Sequence, residues 1–399
     1  MAVTRKRRLH WAGGLTAVMT AAVLSAITLP AHAAPEGQIS GAGGAGSVSG
    51  SYIVTLKGGT KAPSKAGKAV ATKYGAKISH TYSTALNGFA VKVDERQAER
   101  LAADSRVASV SRDATVAVEH RQADPPWGLD RVDQRDLPLD TSYTWPESAG
   151  QGVTAYVIDT GVRVTHKDFG GRASYGWDFV DNDATAQDGQ GHGTHVAGTI
   201  AGATYGVAKQ AKVVAVRVLD DNGAGTLSQV IAGIDWVTKN AQKPAVANMS
   251  LGGLADPQLD AAVRNSIASG VTYAIAAGND GLPASLYSPA RVKEAITVGA
   301  SDKKDARADF SNWGARLDLF APGVDVTSAS NASDTGRATF SGTSMASPHA
   351  AGAAALYLAD HAWATPADVS KALVERAASG KMSNTGLGSP NKLLQVDNP

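Results

Sequence analysis

The sequence predicts an α/β protein: a three-layer α/β/α domain with a mostly parallel central sheet, preceded by a small α+β domain of the ferredoxin-like type. The 399 residues are more than one compact core usually needs, which indicates at least two domains. From about residue 121, near-continuous apolar runs alternate with helix-like stretches, as in a parallel sheet that is covered on both faces. Before that point, shorter runs follow a β-α-β-β-α-β order, which is typical of a split βαβ sandwich.

The composition excludes several classes of protein. Apolar residues make up 43% and charged residues 19% of the chain, which supports a packed core rather than disorder. Cysteine is absent, so disulfide scaffolds, thiolate zinc sites and cysteine nucleophiles are excluded. The net charge of +2 is too small to indicate nucleic-acid binding.

Residues 1–34 have the pattern of a secretory signal peptide. A basic stretch at 5–8 precedes an apolar run at 15–29, and Ala31-His32-Ala33 has the small-x-small pattern of a signal-peptidase site. The apolar run is short for a membrane anchor, which needs about 20 residues. We therefore expect a secreted, extracellular protein without a membrane partner.

Two further segments precede the large domain. Residues 35–50 are rich in Gly and Ser and predict a flexible lead-in. Residues 51–120 predict the small domain, whose alternating and helix-like segments are Ser51–Leu56 (strand), Lys61–Tyr74 (helix), Ile78–Tyr82 (strand), Gly88–Val93 (strand), Glu95–Ala103 (helix) and Val107–Ser111 (strand).

Residues 121–399 predict the large domain. Ligands of an open α/β sheet bind beyond the carboxyl ends of its strands, so the residues that follow each strand are the candidates for function. Asp159 follows the first predicted strand, Ser250 follows the third, and Asn279 comes shortly after the fourth. The predicted strands are Val153–Ile158, Lys212–Leu219, Ala245–Met249, Val271–Ala276 and Ala295–Val298, with helices at Ser228–Asn240 and Pro257–Ser269.

Asp159, His192 and Ser344 could act together as a nucleophilic site. A serine hydroxyl is a poor nucleophile near neutral pH and needs a base within hydrogen-bond reach. Histidine suits that role because its ordinary pKa is about 6.5. A buried aspartate fixes the tautomer of such a histidine and favours the imidazolium. Glycines and other small residues around all three side chains allow close approach.

Three segments resemble the signature motifs of the subtilisin-like serine proteases: Val157-Ile-Asp-Thr-Gly161, Gly191-His-Gly-Thr-His-Val-Ala-Gly198 and Gly342-Thr-Ser-Met-Ala-Ser-Pro-His349. The resemblance covers nearly all of residues 121–399. Flanking segments at 127–129, 147–152 and 220–225 are similar to the proteinase K branch. The resemblance implies a subtilisin-like fold and a secreted serine endopeptidase.

The resemblance implies roles for four residues. Ser344 would be the nucleophile, at the start of an Ala-rich helix whose dipole favours developing negative charge. His192 would be the general base and then the general acid, and Asp159 would orient it. Asn279 would donate to the oxyanion beside the backbone N–H of Ser344. Taken singly, such residues also occur as helix caps and in Asx turns.

Other interpretations of these motifs lack a required residue. His192 and His195 have helical spacing for a metal, but the zinc-protease signature needs a Glu between them. An aspartic protease needs two Asp-Thr-Gly segments that share one proton, and of the two in this chain, at Asp159 and Asp334, only the one at Asp159 directly follows a predicted strand. An α/β-hydrolase needs Gly-x-Ser-x-Gly and Ser before His. A catalytically silent peptide-binding protein is disfavoured because the full set of catalytic residues is in place.

The resemblance also implies how a peptide would bind. The substrate would pair as a strand between two exposed backbone edges. We expect an apolar or aromatic preference with broad tolerance, because no charged residue falls in the segments that would wall the pocket. These edges and walls are Gly223, Ala224 and Gly225; Ser250, Leu251 and Gly252; Ala276, Ala277 and Gly278; and Tyr287 near the floor.

The family commonly binds Ca²⁺, which takes six to eight oxygen ligands. By resemblance, Asp325 would supply a carboxylate, and Lys293 and Ala295 would supply carbonyl oxygens. Lys293 replaces a proline of the family pattern. The acidic loop before His192 lacks EF-hand spacing and predicts a solvated surface, with a second ion as the alternative; its carboxylates are Asp178, Asp181, Asp183 and Asp188.

Residues 51–120 resemble the inhibitory pro-regions of the same family. Their tail, 115–120, would lie in the active site like a product, with autocleavage near His120–Arg121. Net charge is +4 for residues 1–34, +4 for 35–120 and −6 for 121–399, so the pro-domain and the peptidase domain carry opposite charges that favour association. We expect protein and peptide substrates, the pro-domain as intramolecular inhibitor, and a monomer.

Overall fold

The computed structural model describes residues 37–40, 47–115 and 120–396. The predicted signal peptide and most of the tail predicted to lie in the active site fall outside these residues. The chain divides into two compact units between residues 117 and 118. Each unit is described by itself.

The small unit is a five-stranded sheet with two helices. The strands follow the order β1-β5-β2-β4-β3, and all neighbours are antiparallel except β1 and β5. The predicted β-α-β-β-α-β order is confirmed by β2 to β5 with their helices. The elements are β1 (Ile39–Ser40), β2 (Ser47–Leu56), α1 (Lys65–Lys73), β3 (Lys77–Tyr82), β4 (Gly88–Lys92), α2 (Glu95–Ala102) and β5 (Val107–Ala114).

One expectation for this unit is wrong. Residues 39–40 and 47–50, which belong to the predicted flexible lead-in, lie in strands β1 and β2. Strand pairing uses backbone groups, so a Gly/Ser-rich segment can extend a sheet without burying side chains. The side chains of residues 47–49 are exposed, which explains why the sequence lacks an apolar pattern there.

The large unit contains a nine-stranded sheet in the order β19-β20-β16-β15-β13-β11-β8-β10-β9, in which neighbours from β20 to β9 are parallel. Its elements are β6 (His120–Ala123), α3 (Trp127–Val132), β7 (Ser142–Trp145), β8 (Thr154–Asp159), β9 (Ala173–Asp178), α4 (His192–Ala201), β10 (Lys212–Arg217), α5 (Leu227–Asn240), β11 (Ala245–Met249), β12 (Gly253–Leu254), α6 (Pro257–Ala268), β13 (Thr272–Ala276), β14 (Tyr287–Ser288), β15 (Ile296–Ser301), β16 (Leu319–Pro322), β17 (Val326–Ala329), β18 (Arg337–Phe340), α7 (Thr343–Asp360), α8 (Pro366–Arg376), β19 (Ala378–Ser379) and β20 (Lys392–Leu393).

Two apolar cores cover the two faces of this sheet, which confirms the predicted three layers. One core packs α4, α7 and α8 against the sheet, and the other packs α5 and α6 against the opposite face. Strands β8, β11 and β13 are buried along their whole length, as their continuous apolar runs predicted. Helix α7 is apolar on almost every side because it lies inside the core rather than on the surface.

The sheet topology fixes where a site can form. Strand β8 has β10 on one side and β11 on the other, so the chain changes direction across the sheet at β8. A crevice opens at the carboxyl ends of strands at such a switch point. Asp159, Ser250 and Asn279 therefore meet at one edge of the sheet. No helix of the described residues is both long enough and apolar enough to cross a membrane.

Candidate active site

Asp159 is the last residue of β8 and its side chain is fully buried. Its Oδ1 lies 2.7 Å from Nδ1 of His192 and also accepts the backbone N–H of Thr160 at 2.7 Å. Oδ2 has no hydrogen-bond partner among the described residues. A buried carboxylate depends on its hydrogen bonds to offset the cost of burial, so the charge of Asp159 strongly favours a proton on His192.

His192 is the first residue of α4, and 23% of its side chain is exposed. Its ring therefore has one side against Asp159 and the other toward solvent. Burial alone would lower the pKa of His192, but the charge and hydrogen bond of Asp159, with a further contribution from Asp188, outweigh it and raise that pKa. The next residue is Gly193, where a Cβ would lie 2.1 Å from the carbonyl oxygen of Gly161, so glycine permits the close approach of α4 to the segment that follows β8.

Ser344 is the second residue of α7, so its backbone N–H has no acceptor within the helix. Its hydroxyl donates to the carbonyl oxygen of Ser250 at 3.1 Å rather than to His192. The positive end of the helix dipole faces the same place. Ser344 thus combines a nucleophile with a free N–H donor beside it.

Asn279 is held by the residue that precedes Ser344. Its Oδ1 accepts both the backbone N–H of Thr343, at 2.8 Å, and the hydroxyl of Thr343, at 3.0 Å. Because the oxygen is occupied on that side, the amide N–H₂ faces the open cleft. An oxygen anion formed at Ser344 would find two donors there: the Asn279 amide and its own backbone N–H.

The predicted substrate-binding residues line two adjoining cavities that share residues 250–254. A cavity of about 490 Å³ contains the walls predicted for the residue before the scissile bond, namely Ser250, Leu251, Gly252, Ala276, Ala277, Gly278 and Tyr287, together with Asn279 and Ser344. A cavity of about 880 Å³ contains His192 and the two predicted edges, Gly223, Ala224 and Gly225 with Ser250, Leu251 and Gly252.

One residue that lines the pocket was missed. Asp280 lines the same cavity as Ser344, although no charged residue was expected in the pocket. The exposed Asp280 carboxylate faces the Tyr287 hydroxyl and raises its pKa. The signal was present in the sequence, since Asp280 directly follows Asn279, but only the fold of the 280–287 segment brings its side chain to the pocket.

The calcium ligand set predicted from the resemblance is wrong as a set. Strands β15 and β16 are parallel neighbours in the sheet. Lys293 and Ala295 lie before the start of β15, whereas Asp325 comes three residues after the end of β16, at the opposite end of the pair. The four paired residues between them span about 10 Å. Ligands of one Ca²⁺ lie about 2.3–2.6 Å from the ion. Asp325 therefore cannot share an ion with Lys293 and Ala295.

The carboxylate beside the 293–297 segment is Asp318. Its Oδ2 accepts the backbone N–H of Thr297 at 2.7 Å, two residues from Ala295. Burial raises the pKa of Asp318 to about 6. Asp325 instead lies at the surface, where its backbone N–H donates to the Ser341 hydroxyl at 2.9 Å. Sequence alone could not separate the two aspartates, because sheet register decides which of them reaches the segment.

The acidic loop before His192 is only partly a solvated surface. The buried carboxylate of Asp178 and the exposed one of Asp181 bind Arg217 at 2.7 and 2.6 Å, and Asp221 binds it at 2.8 Å. The guanidinium supplies the positive charge that these carboxylates need. Asp188 is also buried, with other partners.

His195 does not face His192 across a shared ligand. Its Nε2 lies 3.0 Å from the carbonyl oxygen of Val326, and its ring stacks on Phe340 at 4.7 Å. Burial lowers the pKa of His195 to about 4, so the ring is neutral. Among the residues that the structure describes, no group of three or more His, Cys, Asp or Glu side chains is placed to hold a metal.

Comparison with known proteins assigns a family to each of the two units. Residues 150–392 match the Subtilase family, and residues 51–119 match the peptidase inhibitor I9 family. The extracellular serine proteinase of Thermus sp. (strain Rt41A) is 54% identical over 320 residues, which cover 80% of this chain and 78% of that protein. Proteinase R of Parengyodontium album is 41% identical over 86% of this chain and 87% of its own length.

A solved structure supports the fold assignment. The crystal structure of a cold-adapted subtilisin-like serine proteinase is 53% identical, covers 69% of this chain and 100% of its own, and superposes with a TM-score of 0.68. The family match covers more than half of the sequence. The chain therefore belongs to the subtilase family, as a subtilisin-like serine endopeptidase that carries an I9 inhibitor pro-region.

Proposed function

We propose that the chain is a secreted, self-processing endopeptidase that cleaves peptide bonds through an acyl-enzyme on Ser344, with His192 as base, Asp159 as its orienting partner and Asn279 as oxyanion donor. The observation that carries the assignment is the 2.7 Å contact between Asp159 Oδ1 and His192 Nδ1 at the border of the cleft that holds Ser344. This contact leaves Nε2 of His192 as the ring nitrogen that can accept the proton of Ser344 when a substrate is bound.

The proposed reaction has two stages, formation of the acyl-enzyme and its hydrolysis. Ser344 Oγ attacks the peptide carbonyl carbon while its proton moves to His192 Nε2, and the carbonyl oxygen becomes an anion that accepts from Asn279 Nδ2 and the Ser344 N–H. The C–N bond then breaks as His192 gives the proton to the leaving amine. Water then attacks the acyl carbon while His192 takes one of its protons. The bond from that carbon to Ser344 Oγ breaks, and His192 returns the proton to this oxygen. Asp159 stays ionised and stabilises the imidazolium.

The walls of the pocket support a broad preference for apolar or aromatic side chains before the scissile bond. Ala276, Ala277 and Gly278 leave room for a large side chain, and Leu251 adds apolar surface. Asp280 at the same cavity adds a carboxylate that can pair with a basic side chain. The proposed specificity is therefore apolar or aromatic first, with Lys and Arg tolerated.

Secretion and self-processing follow from the N-terminal part of the chain. Residues 1–34 have the signal-peptide pattern, and the relative from Thermus is named extracellular. The I9 match at 51–119 supports an inhibitory pro-region that is removed near residue 120. The opposite charges of residues 35–120 and 121–399 favour its binding to the peptidase before cleavage.

The proposed calcium site moves from Asp325 to Asp318. Its half-buried carboxylate would hold a Ca²⁺ together with the carbonyl oxygens of Lys293 and Ala295, and the ion would compensate the cost of partly burying the charge. A chelator should lower the Tm of wild type but leave that of Asp318→Asn unchanged, whereas Asp325→Asn should respond like wild type. An equal chelator response in wild type and Asp318→Asn would place the ion elsewhere.

One comparison tests the catalytic proposal. Wild type, Ser344→Ala and Ser341→Ala are expressed as full-length precursors and assayed on casein and a peptide amide. Ser341 lies three residues away and contacts Asp325, so it controls for a change of hydroxyl in the same segment. Wild type and Ser341→Ala should cleave and show a new N-terminus near residue 120, and Ser344→Ala should do neither. Cleavage by Ser344→Ala at the wild-type rate contradicts the proposal.

A further inference from the structure

Asp188 is a buried carboxylate that contacts no Lys or Arg of the part of the chain that the structure describes. Only 3% of the residue is exposed. Oδ1 accepts the Thr160 hydroxyl at 2.9 Å and the backbone N–H groups of Gln190 and Gly191 at 3.0 and 2.7 Å. Oδ2 accepts the N–H and the hydroxyl of Thr194 at 2.9 and 2.5 Å. Five donors thus converge on one charge, which makes these hydrogen bonds charge-assisted and strong.

These hydrogen bonds join the two elements that carry Asp159 and His192. Thr160 follows Asp159 at the end of β8, and its Oγ1 accepts the backbone N–H of Gly193, the residue after His192, at 2.9 Å. The same hydroxyl donates to Asp188. The bonds to Gly191 and Thr194 fix the first turn of α4, whose early N–H groups have no partner inside the helix. Thr160, the residue after Asp159, is therefore bonded to Asp188 through its hydroxyl, and Gly193, the residue after His192, is linked to Asp188 through the same hydroxyl.

The charge of Asp188 also acts on His192 directly. No Lys or Arg contacts Asp188 among the described residues, so its field is not neutralised by an ion pair. Within the described ranges, the titratable groups that act on His192 are Asp159 from β8, Asp188 from the preceding loop and the neutral His195 from α4 itself. Both carboxylates favour the protonated ring, which forms when Ser344 gives up its proton.

We propose that Asp188 is a positioning residue of the reaction: it holds the start of α4 against the end of β8, so that His192 stays in register with Asp159. The proposal rests on the catalytic roles proposed above for Asp159 and His192. Catalysis depends steeply on such placement, since a shift of about 1 Å can cost about 10²-fold in rate. Helix capping alone would predict a loss of stability without any change at His192.

Asp168 offers a matched control. It is also buried, with 8% of the residue exposed, and its carboxylate accepts the backbone N–H of Thr204 at 2.8 Å. It contacts neither His192 nor Asp159. Asp168→Ala and Asp168→Asn therefore report what the loss of a buried, N–H-bound carboxylate does to folding alone.

The experiment compares Asp188→Ala, Asp188→Asn and the two Asp168 variants as self-processed enzymes, with kcat expressed per titrated active site on a neutral peptide amide. We expect Asp188→Ala to lose about 10- to 100-fold in kcat with little change in KM, and more than Asp168→Ala. Asp188→Asn keeps the shape but loses the charge, so the acidic limb of its kcat/KM profile should move to lower pH, whereas that of Asp168→Asn should not move.

If Asp188→Ala does not yield processed enzyme, the measurement is made instead on the unprocessed precursor that carries Ser344→Ala. The downfield proton resonance of the Asp159–His192 hydrogen bond is then recorded with and without Asp188→Asn, and it should weaken or shift only with that substitution, not with Asp168→Asn. The proposal is overturned if Asp188→Ala loses no more kcat than Asp168→Ala, or if the acidic limb or the proton resonance of Asp188→Asn stays at the wild-type position. His192→Ala with wild-type activity would instead overturn the catalytic assignment.

Discussion

Ser250 and Ser344 exchange hydrogen bonds across the cleft. The Ser250 hydroxyl donates to the carbonyl oxygen of Ser344 at 2.8 Å, and the Ser344 hydroxyl donates to the carbonyl oxygen of Ser250 at 3.1 Å. The second distance is long for an O–H···O bond, which usually measures 2.5–3.0 Å, so the nucleophile gives it up at little cost. The first bond is short and ties the start of α7 to the end of β11.

Ser250→Ala should therefore loosen the start of α7. The carbonyl oxygen of Ser344 would lose its partner, at a cost of about 1–3 kcal/mol in the free energy of unfolding. We expect kcat to fall several-fold as well, because the N–H of Ser344 that faces the oxyanion belongs to the same turn. Active-site titration with steady-state kinetics measures the change.

Ser347→Ala is the control for that prediction. Ser347 donates to Asn248 at 2.8 Å, and Asn248 donates to Ser250 at 2.9 Å, so the control breaks the same network at its far end. It should lower the Tm without lowering kcat. Equal losses of kcat in both variants would contradict a specific link between Ser250 and the nucleophile.

The pKa of His192 predicts the acidic limb of activity. The base works only in its neutral form, and Asp159 holds its pKa above the ordinary value of 6.5. As pH falls through the raised pKa, the ring gains a proton and kcat/KM falls in proportion. The profile of kcat/KM on a neutral peptide amide should thus have its acidic midpoint above 6.5. A midpoint at or below 6.5, with active-site titration constant over the range, would contradict the coupling to Asp159.

The Asp–His–Ser set was predictable because each member sits in a short contiguous motif. Asp159 follows a strand that the apolar pattern predicts, and Ser344 begins an Ala-rich helix, whereas α4 was indicated only by the helical spacing of His192 and His195. Strand ends of a parallel sheet must meet at one edge. Strands such as β11, with a continuous buried run, agree with their predicted bounds. The edge strand β9 was missed because most of its residues are only half-buried and show no clear period.

Contacts set by register between distant segments were not predictable. Nothing local distinguishes Asp318 from Asp325, and only the pairing of β15 with β16 brings Asp318 to Thr297. Likewise, Asp178 belongs to a loop that looks solvated, until β9 pairs with β10 and places it beside Arg217. In both cases the chemistry of the residue was visible in the sequence, but its partner was not.

Asp280 should set the tolerance for basic substrates. Replacement by Asn removes the carboxylate from the pocket without changing its size, so kcat/KM for a substrate with Lys before the scissile bond should fall a few-fold relative to one with Phe. The ratio of the two kcat/KM values is the readout, because effects on Ser344 chemistry cancel in it. Tyr287→Phe, which keeps the charge, should preserve the preference for Lys over neutral Gln at that position; if it instead matches Asp280→Asn, the carboxylate is not the determinant.

Arg131 and Asp305 form an ion pair inside the large unit. Arg131 is fully buried, and its guanidinium makes two bonds to the Asp305 carboxylate at 2.7 and 2.9 Å. Arg131→Met leaves a buried carboxylate without its partner and should cost about 3–5 kcal/mol, a lowering of Tm on the order of 10 °C. Calorimetry on enzyme blocked covalently at Ser344 avoids self-digestion during the scan.

The double variant Arg131→Met with Asp305→Asn should recover part of that loss, because no lone charge remains buried. Lys239→Met serves as the exposed comparison, since Lys239 pairs with Asp235 at the surface of α5 and should leave the Tm almost unchanged. If the double variant instead loses as much stability as Arg131→Met and Asp305→Asn lose together when made singly, the two residues act independently.

Lys209 makes the stability of the large unit depend on pH. Its side chain is buried, with Nζ bonded to Gln122 at 2.7 Å and to the carbonyl oxygen of Ala203 at 3.1 Å, and it lies over the rings of Tyr143 and Trp145. Burial lowers the pKa of Lys209 to about 7, an effect that Asp168 opposes and Arg172 reinforces.

The sign of the effect follows from proton binding. Between about pH 7 and pH 10 the unfolded chain holds a proton on Lys209 that the folded protein has released, so the free energy of unfolding rises with pH in that range. Lys209→Met removes this dependence. The Tm of wild type minus that of Lys209→Met should thus increase from pH 7 to pH 9.5, measured on enzyme blocked at Ser344. Lys212→Met, at an exposed position of β10, should give a difference that does not change with pH. A wild-type advantage that shrinks over the same range would mean that Lys209 stays charged, held by the two rings and by Gln122 against the cost of burial.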